Sequence, residues 1–196
     1  MPQPPCSHLV TPARSVLSVL SVLSVFSVSP LHAQNPAQPR CDTPEHRQFD
    51  FWVGDWNVTG PRGKLVGTNL VTLEEDGCVV HEHWAGSGGS TGQSFNFYDR
   101  TDGKWHQIWV DNGGSWLNLA GSYVDEKMVL QGVNAGPAGK PQLQRITFTR
   151  DADGSVHQVW DTSDDEGKTW QVAFDGLYRK KQEDARELGA GSSNCH

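Results

Sequence analysis

The feature that most constrains the fold is the regular alternation of short β-type runs with turn signals. Runs rich in Val, Trp, Phe and Thr recur at spacings of about 8–12 residues, a pattern typical of all-β domains. Helical periodicity is nearly absent. The runs predict ten strands, at 49–60, 65–75, 78–85, 92–99, 104–111, 115–122, 127–133, 142–150, 155–162 and 169–180.

The segments between these runs carry hairpin chemistry. Asp76-Gly77, Asp102-Gly103, Asn112-Gly113-Gly114 and Asp153-Gly154 combine residues that tolerate a positive φ. Ten hairpin-linked strands in an open sheet would leave two exposed edges, whereas closure of the sheet removes both. The sequence therefore predicts an all-β fold, a single antiparallel up-and-down β-barrel of about ten strands, over residues 49–181.

The N-terminal residues do not resemble a folded domain. Arg14 precedes Ser-Val-Leu repeats and the small Ala33 follows them, which is the order of parts in a secretory signal peptide. The apolar stretch is shorter than the about 20 residues of a membrane helix, so no membrane anchor is expected. We predict a leader over 1–33, a linker over 34–48, a polar tail over 182–196, and an exported protein, periplasmic or secreted.

Export to an oxidising compartment favours disulfide pairing of the three cysteines that follow the leader. Cys41 lies just before the first predicted strand and Cys78 just after a turn, so a Cys41–Cys78 bridge would tie the N-terminal approach to the barrel wall. A Cys41–Cys195 bridge competes, because the termini of barrels often lie close together. The position of Cys195 in a polar tail favours the first pairing.

Three predicted strands repeat a polar residue followed two positions later by Trp. Side chains alternate along a strand, so both members of each pair share one face. We expect these faces to point inward and to form an aromatic-lined cavity with a polar cluster, the usual composition of a small-molecule site. The predicted ligand-binding residues are Glu82, Trp84, Asn96, Tyr98, Gln107, Trp109, Arg145, Gln158 and Trp160.

Glu82 admits three interpretations. It recognises a ligand; or it pairs with Arg145 in a structural network that fills the barrel; or it is unpaired and desolvated, with a raised pKa suited to general acid–base catalysis. In the last case Arg145 or Gln107 would stabilise developing charge. Glu82 is the only catalytic candidate. A Glu82–Arg145 salt bridge would separate the second interpretation from the third, and cavity volume would separate a filled barrel from the other two.

Other partner classes have little support in the sequence. The formal net charge of −7 argues against nucleic acid and against anionic lipid surfaces. His81 and His83 share a strand face, and His106 has the same outward parity if Trp84 faces inward. Solvent-facing histidines are ordinary polar residues, so neither a metal site nor a cofactor is predicted.

The segment Ser163–Trp170 matches the Ser-x-Asp-x-Gly-x-Thr-Trp pattern called an Asp-box. In this turn the Asp carboxylate accepts backbone N–H bonds and the Trp anchors the following strand. Asp161, Ser163 and Asp165 also alternate as in calcium loops, but Val172 stands where the bidentate Glu is expected. The segment therefore predicts a rigid hairpin turn.

Several longer motifs carry a resemblance. FDFWVGDW opens the first strand and contains Gly54-x-Trp56, and GCVVHEHW, GQSFNFYD, KWHQIWVD, QRITFTR, SVHQVW and FDGLY follow in order. Over about Cys41 to Tyr178 this series resembles a family of exported bacterial proteins of unknown function. That family looks like a lipocalin-like branch of the calycins, related at fold level to lipocalins, fatty-acid-binding proteins and nitrobindin-type barrels. The resemblance implies a fold and a compartment and transfers no activity.

The same resemblance implies a closed barrel end. In calycins the Trp of the Gly-x-Trp element plugs that end, and a basic residue on the last strand packs over its ring by cation–π attraction. Trp56 matches the Trp, and Arg179, which follows Tyr178, is the matching basic residue.

Overall fold

The computed structural model describes residues 40–136 and 139–182, so the predicted leader, residues 34–39 of the linker and the tail from residue 183 onward, with Cys195, lie outside the described residues. In the described part of the chain, no helix has the length and apolar character needed to cross a membrane. The ten strands are β1 Gly54–Thr59, β2 Leu65–Glu74, β3 Val79–Gly86, β4 Thr91–Asp99, β5 Lys104–Asp111, β6 Trp116–Val124, β7 Lys127–Ala135, β8 Pro141–Arg150, β9 Val156–Ser163 and β10 Gln171–Lys180. Three 3-10 helices cover Pro44–Arg47, Asp50–Trp52 and Glu75–Gly77.

The strands form one closed antiparallel barrel. Each strand pairs with the next along the chain, and β1 pairs with β10 in the register Trp56–Lys180 and Val58–Tyr178. The hairpin glycines Gly103 and Gly154 adopt φ values of 69° and 83°, as their turn sequences predict. The predicted all-β up-and-down barrel is confirmed.

The first strand is shorter than the predicted span of 49–60. Asp50–Trp52 is a 3-10 helix, and β1 begins at Gly54. Phe49 and Trp52 are fully buried, and their rings lie 5.0 and 4.6 Å from that of Phe148. An extended strand would turn alternate side chains to opposite faces, whereas the helical turn directs both rings into the barrel end and buries more apolar area there.

Trp56 belongs to the same closed end. It is fully buried, and its Nε1 donates to the Trp52 carbonyl at 2.9 Å. The Nζ of Lys180 lies 5.4 Å from the centre of the Trp56 ring, so the predicted partner Arg179 is wrong by one position. Lys180 is the cross-strand neighbour of Trp56, whereas Arg179 pairs with Asn57 and faces the other side of the sheet.

The disulfide joins Cys41 to Cys78, which confirms the first of the two predicted pairings. Cys78 directly follows the 3-10 helix that connects β2 to β3, and Cys41 precedes the 3-10 helix Pro44–Arg47. The bridge therefore fastens the segment that leads into the barrel plug to the barrel wall.

We predict that replacing both Cys41 and Cys78 by Ser lowers the free energy of unfolding by about 3–4 kcal/mol. The reason is that the bridge closes a loop with a sequence separation of 37 residues, which restricts the unfolded chain. Urea unfolding of the oxidised protein and of the double variant measures the difference. The double variant should no longer respond to reductant; equal midpoints for the two proteins would contradict the prediction.

Candidate functional site

A cavity of about 300 Å³ occupies the half of the barrel away from the aromatic plug. The plug packs against Trp105 at the start of β5 and Phe148 near the end of β8, whereas the cavity is lined by Trp109 near the end of β5 and by Ile146 in the middle of β8. Ser90, in the loop between β3 and β4, is exposed, so the cavity reaches solvent at that end. Its lining residues are Val66, Glu82, Trp84, Ser90, Gln107, Trp109, Leu117, Ile146, Gln158, Trp160, Phe174 and Tyr178.

Three half-buried tryptophans, Trp84, Trp109 and Trp160, form the walls together with Phe174. Glycines on neighbouring strands permit this arrangement. A Cβ atom at Gly92 would lie 2.3 Å from the Trp109 ring, and one at Gly67 would lie 2.5 Å from the Trp84 ring. The indole rings occupy the space that a side chain at these two glycines would take, so they lie against the barrel wall and leave the centre open. Any larger residue at either glycine would displace its ring.

The floor of the cavity carries a buried carboxylate. Glu82 is 5% exposed; its Oε1 accepts a hydrogen bond of 2.8 Å from Asn69 Nδ2, and its Oε2 accepts one of 2.6 Å from Ser94 Oγ. Among the described residues, the ion pairs within 4.0 Å do not include Glu82. The carboxylate is therefore held by neutral donors alone.

A chain of amides extends from this carboxylate across the floor. Asn96 Nδ2 donates to Ser94 Oγ at 2.9 Å, and Gln107 Nε2 donates to Asn96 Oδ1 at 2.8 Å. Two buried oxygens, Gln107 Oε1 and Asn69 Oδ1, lack a hydrogen-bond partner among the described residues. Both are acceptors, and Gln107 lines the cavity, so a hydrogen-bond donor in the cavity would find an acceptor there.

Strands β8, β9 and β10 add two further hydrogen-bonded pairs. The Tyr178 hydroxyl donates to Gln158 Oε1, and Trp160 Nε1 donates to Gln144 Oε1 at 2.8 Å. Both interactions fix side chains that line the cavity or lie directly behind it. Burial and the nearby charge of Glu82 raise the pKa of Tyr178 well above its ordinary value, so its hydroxyl stays protonated.

Burial raises the pKa of the Glu82 carboxyl to about 7, against the hydrogen bonds from Ser94 and Asn69, which lower it. Without a neighbouring cation, desolvation of the charged form outweighs those hydrogen bonds. Glu82 is thus the unpaired, desolvated carboxyl of the third interpretation rather than half of a buried salt bridge.

Arg145 does not reach the cavity, contrary to the sequence prediction. It forms a salt bridge of 3.0 Å with Asp161, and its guanidinium lies 4.0 Å above the Trp170 ring. Its neighbours Gln144 and Ile146 are buried and face inward, which places Arg145 on the outer face of β8. The alternation of β8 is ambiguous from sequence because polar residues stand on both faces.

Two other predicted residues lie away from the cavity lining. Asn96 is fully buried beneath the floor, where it links Ser94 to Gln107. Tyr98 packs at the closed end, with ring centres 5.2 Å from His46 and 6.2 Å from Trp105. The predicted residues that the structure brings together around the cavity are Glu82, Trp84, Gln107, Trp109, Gln158 and Trp160.

Sequence analysis missed several residues of the site. The polar-x-Trp pattern of the sequence does not include Asn69, Ser94 or Tyr178. A signal for Asn69 was present, because it shares a strand face with the apolar Val71. Tyr178 and Phe174 lie on β10 with a register shift between Val172 and Phe174, which interrupts simple alternation.

The histidines of β3 lie on the outer surface of the barrel. His81 is 8% exposed because Phe95 stacks on its ring at 4.4 Å, and its two nitrogens lie 3.0 Å from Glu74 Oε1 and Gln93 Oε1. His81 is therefore covered rather than solvent-facing as predicted. Two groups of described residues bring potential metal ligands within 4.8 Å of one another, and neither includes a cavity-lining residue: Glu74, His81 and His83, and Asp99, Asp102 and His106.

The predicted hairpin turn at Ser163–Trp170 forms as its pattern indicates. Asp165 accepts hydrogen bonds from the Thr169 N–H at 2.8 Å and hydroxyl at 2.7 Å, which lower the pKa of its carboxyl to about 2. Trp170 Nε1 donates to the Gly167 carbonyl at 3.1 Å. The segment stabilises the hairpin between β9 and β10.

Comparison with known proteins adds no relative. The chain matches no protein-family model, and no curated protein matches it either. The resemblance to exported lipocalin-like proteins therefore stays a prediction.

We predict that Glu82 makes the protein less stable as pH rises from about 4.5 to about 7. The pKa of its carboxyl is 4.5 in its ordinary environment and about 7 when folded, so the folded state holds the proton more tightly across this interval. Above pH 7 the contribution of Glu82 to the free energy of unfolding should be lower by about 3 kcal/mol than at acidic pH. Urea unfolding of the wild-type protein and of Glu82→Gln, at pH 4.5, 6 and 8, measures it as the difference between the two.

Glu126→Gln is the matched control, because it removes an exposed carboxylate in the turn between β6 and β7. This variant should keep the pH dependence of the wild-type protein, whereas Glu82→Gln should lose part of it. Parallel pH profiles for all three proteins would show that Glu82 titrates normally.

Proposed function

We propose that this protein is an exported binding protein of the lipocalin-like kind, which holds a small, partly apolar molecule inside its barrel. The observation that carries the proposal is the cavity of about 300 Å³ with aromatic walls and a polar floor. Ligand sites are typically of about 300–1,000 Å³, mostly apolar, with a few placed polar groups. The size at the lower end of this range favours a compact ligand.

The proposal of export is supported by the Cys41–Cys78 disulfide. Disulfides of this structural kind persist in oxidising compartments and are rare in the cytosol. The signal-peptide pattern of residues 1–33 is a second, independent support from the sequence.

A purely structural, filled barrel is less compatible with this geometry. The cavity volume corresponds to about ten water molecules at about 30 Å³ each, far above the voids of a packed protein interior. Gln107 Oε1, which has no donor among the described residues, also leaves an acceptor at the cavity for a donor group of a ligand.

An enzyme that uses Glu82 as general acid or base is the second candidate. It is favoured by the burial of Glu82 without an ion-pair partner among the described residues, which raises the pKa of its carboxyl to about 7, near the pH at which a proton-transfer group works best. The predicted charge-stabilising partners do not support it, because Arg145 lies on the outer face and Gln107 Nε2 already donates to Asn96. Binding of a neutral ligand should tolerate Glu82→Gln, whereas proton transfer should not.

We predict that the neutral dye 1-aminoanthracene binds in the cavity and that Ile146→Trp weakens this binding at least about tenfold, or ~1.4 kcal/mol. Ile146 lines the cavity, so a larger ring at this position occupies the space that the dye needs. Dye fluorescence on titration with protein gives the dissociation constant, and circular dichroism verifies that each variant is folded.

Thr147→Trp is the matched control, since its side chain lies on the outer face of the same strand. It should bind the dye as the wild-type protein does. If Ile146→Trp fails to fold, Gly92→Ala serves instead, because its Cβ would push the Trp109 ring into the cavity. Equal affinity of the wild-type protein, the folded cavity variant and the control would place the dye elsewhere and contradict the proposal.

A further inference from the structure

We propose that the ligand of the cavity is an organic cation, a protonated amine on a compact apolar body, and that Glu82 is the anion that receives the ammonium group. This inference rests on the proposed binding function and names the chemical class of its ligand. It is supported by the signs of the charges, by the donor and acceptor groups of the floor, and by the walls.

The charges that face the cavity have one sign. Glu82 and Tyr178 are the titratable residues of the lining, and the Tyr178 hydroxyl is neutral. The guanidinium of Arg145 is engaged on the outer face, where it pairs with Asp161. An anionic ligand such as a carboxylate would meet only Glu82, so the cavity disfavours it.

The floor groups need donors rather than acceptors. Glu82 has neutral donors on each oxygen but no cation among the described residues, and Gln107, which also lines the cavity, has a buried Oε1 without a partner in the same part of the chain. An ammonium group offers three N–H donors and no acceptor. It would therefore pair with the carboxylate and still have donors for a further acceptor such as Gln107 Oε1. A hydroxyl offers one donor and a carbonyl none, so neither could do both.

The walls fit the remainder of such a ligand. Trp84, Trp109, Trp160 and Phe174 present aromatic surface to the cavity, which packs against an apolar body. The faces of indole rings also attract cations, and this attraction strengthens where water is excluded. Aromatic walls around one carboxylate thus match both parts of an amine with an apolar body.

This arrangement couples amine binding to the ionisation of Glu82. The groups that face its carboxyl are Asn69 on β2, Ser94 on β4 and Tyr178 on β10, and His81 acts on it from the outer face of β3. The pKa of Glu82 is about 7 in the free protein, so an amine that binds at lower pH must displace a proton. The affinity for amines should therefore rise as pH rises through 7.

Three probes that share an indole ring test the inference: tryptamine, tryptophol and indole-3-acetate. Isothermal titration calorimetry measures each dissociation constant at pH 8 and pH 5.5. At pH 8 we expect tryptamine to bind at least about tenfold more tightly than tryptophol, and indole-3-acetate to bind most weakly. At pH 5.5 the advantage of tryptamine over tryptophol should fall to about threefold or less, because Glu82 is then protonated.

Two variants test whether Glu82 is the group that causes the preference for tryptamine. Glu82→Gln should remove the preference for tryptamine at pH 8 and keep tryptophol binding within about threefold of the wild-type protein. Glu126→Gln removes the same charge at an exposed turn at the closed end, and should keep the preference. If Glu82→Gln does not fold, the comparison of pH 8 with pH 5.5 in the wild-type protein neutralises the same carboxyl.

The outcomes separate this inference from the proposed function. Binding of 1-aminoanthracene together with equal or tighter binding of tryptophol or indole-3-acetate would overturn the amine inference and leave the binding function standing. Dye binding without binding of any indole probe would overturn it as well. Failure of the dye and of all three indole probes to bind would overturn both.

Discussion

Pairing of β1 with β10 is the constraint on which the rest of this molecule depends. It removes both edges of a ten-stranded sheet and divides every strand into an inward and an outward row of side chains. The inward rows must then fill the interior or enclose a space. Aromatic packing of Phe49, Trp52 and Trp56 fills one end, and the other end retains a cavity of about 300 Å³.

The shape of that cavity follows from paired large and small residues. The Trp109 ring packs directly over Gly92, and the Trp84 ring packs directly over Gly67. Large rings without such glycines would project into the barrel and fill it. The distribution of glycine along the strands therefore has a packing role that is as specific as that of the tryptophans.

Burying a carboxyl without a cation lowers stability, and in this barrel no ion pair among the described residues offsets that cost. Glu82 is held by Asn69 and Ser94, and its raised pKa records the remaining cost of burying its charge. Strongly perturbed ionisable groups in a cavity are characteristic of functional sites, because a ligand or a reaction can use the charge that the fold leaves uncompensated. The buried carboxyl of Glu82, which is costly for folding, is thus also the group on which the proposed function depends.

The sequence by itself determined the all-β architecture, the hairpin turns and the shared face of each polar residue with its Trp, because all of these follow from local chemistry or from alternation within one strand. It favoured the Cys41–Cys78 bridge over Cys41–Cys195, and the tertiary structure joins Cys41 to Cys78. Only the tertiary structure decided which face points inward and which residues meet across the barrel. It turned Arg145 outward and Ile146 inward, placed Lys180 rather than Arg179 over Trp56, and brought Tyr178 to the cavity beside Glu82. The physical reason is that strand register and barrel closure are set by the packing of the whole interior, to which a single strand contributes one row.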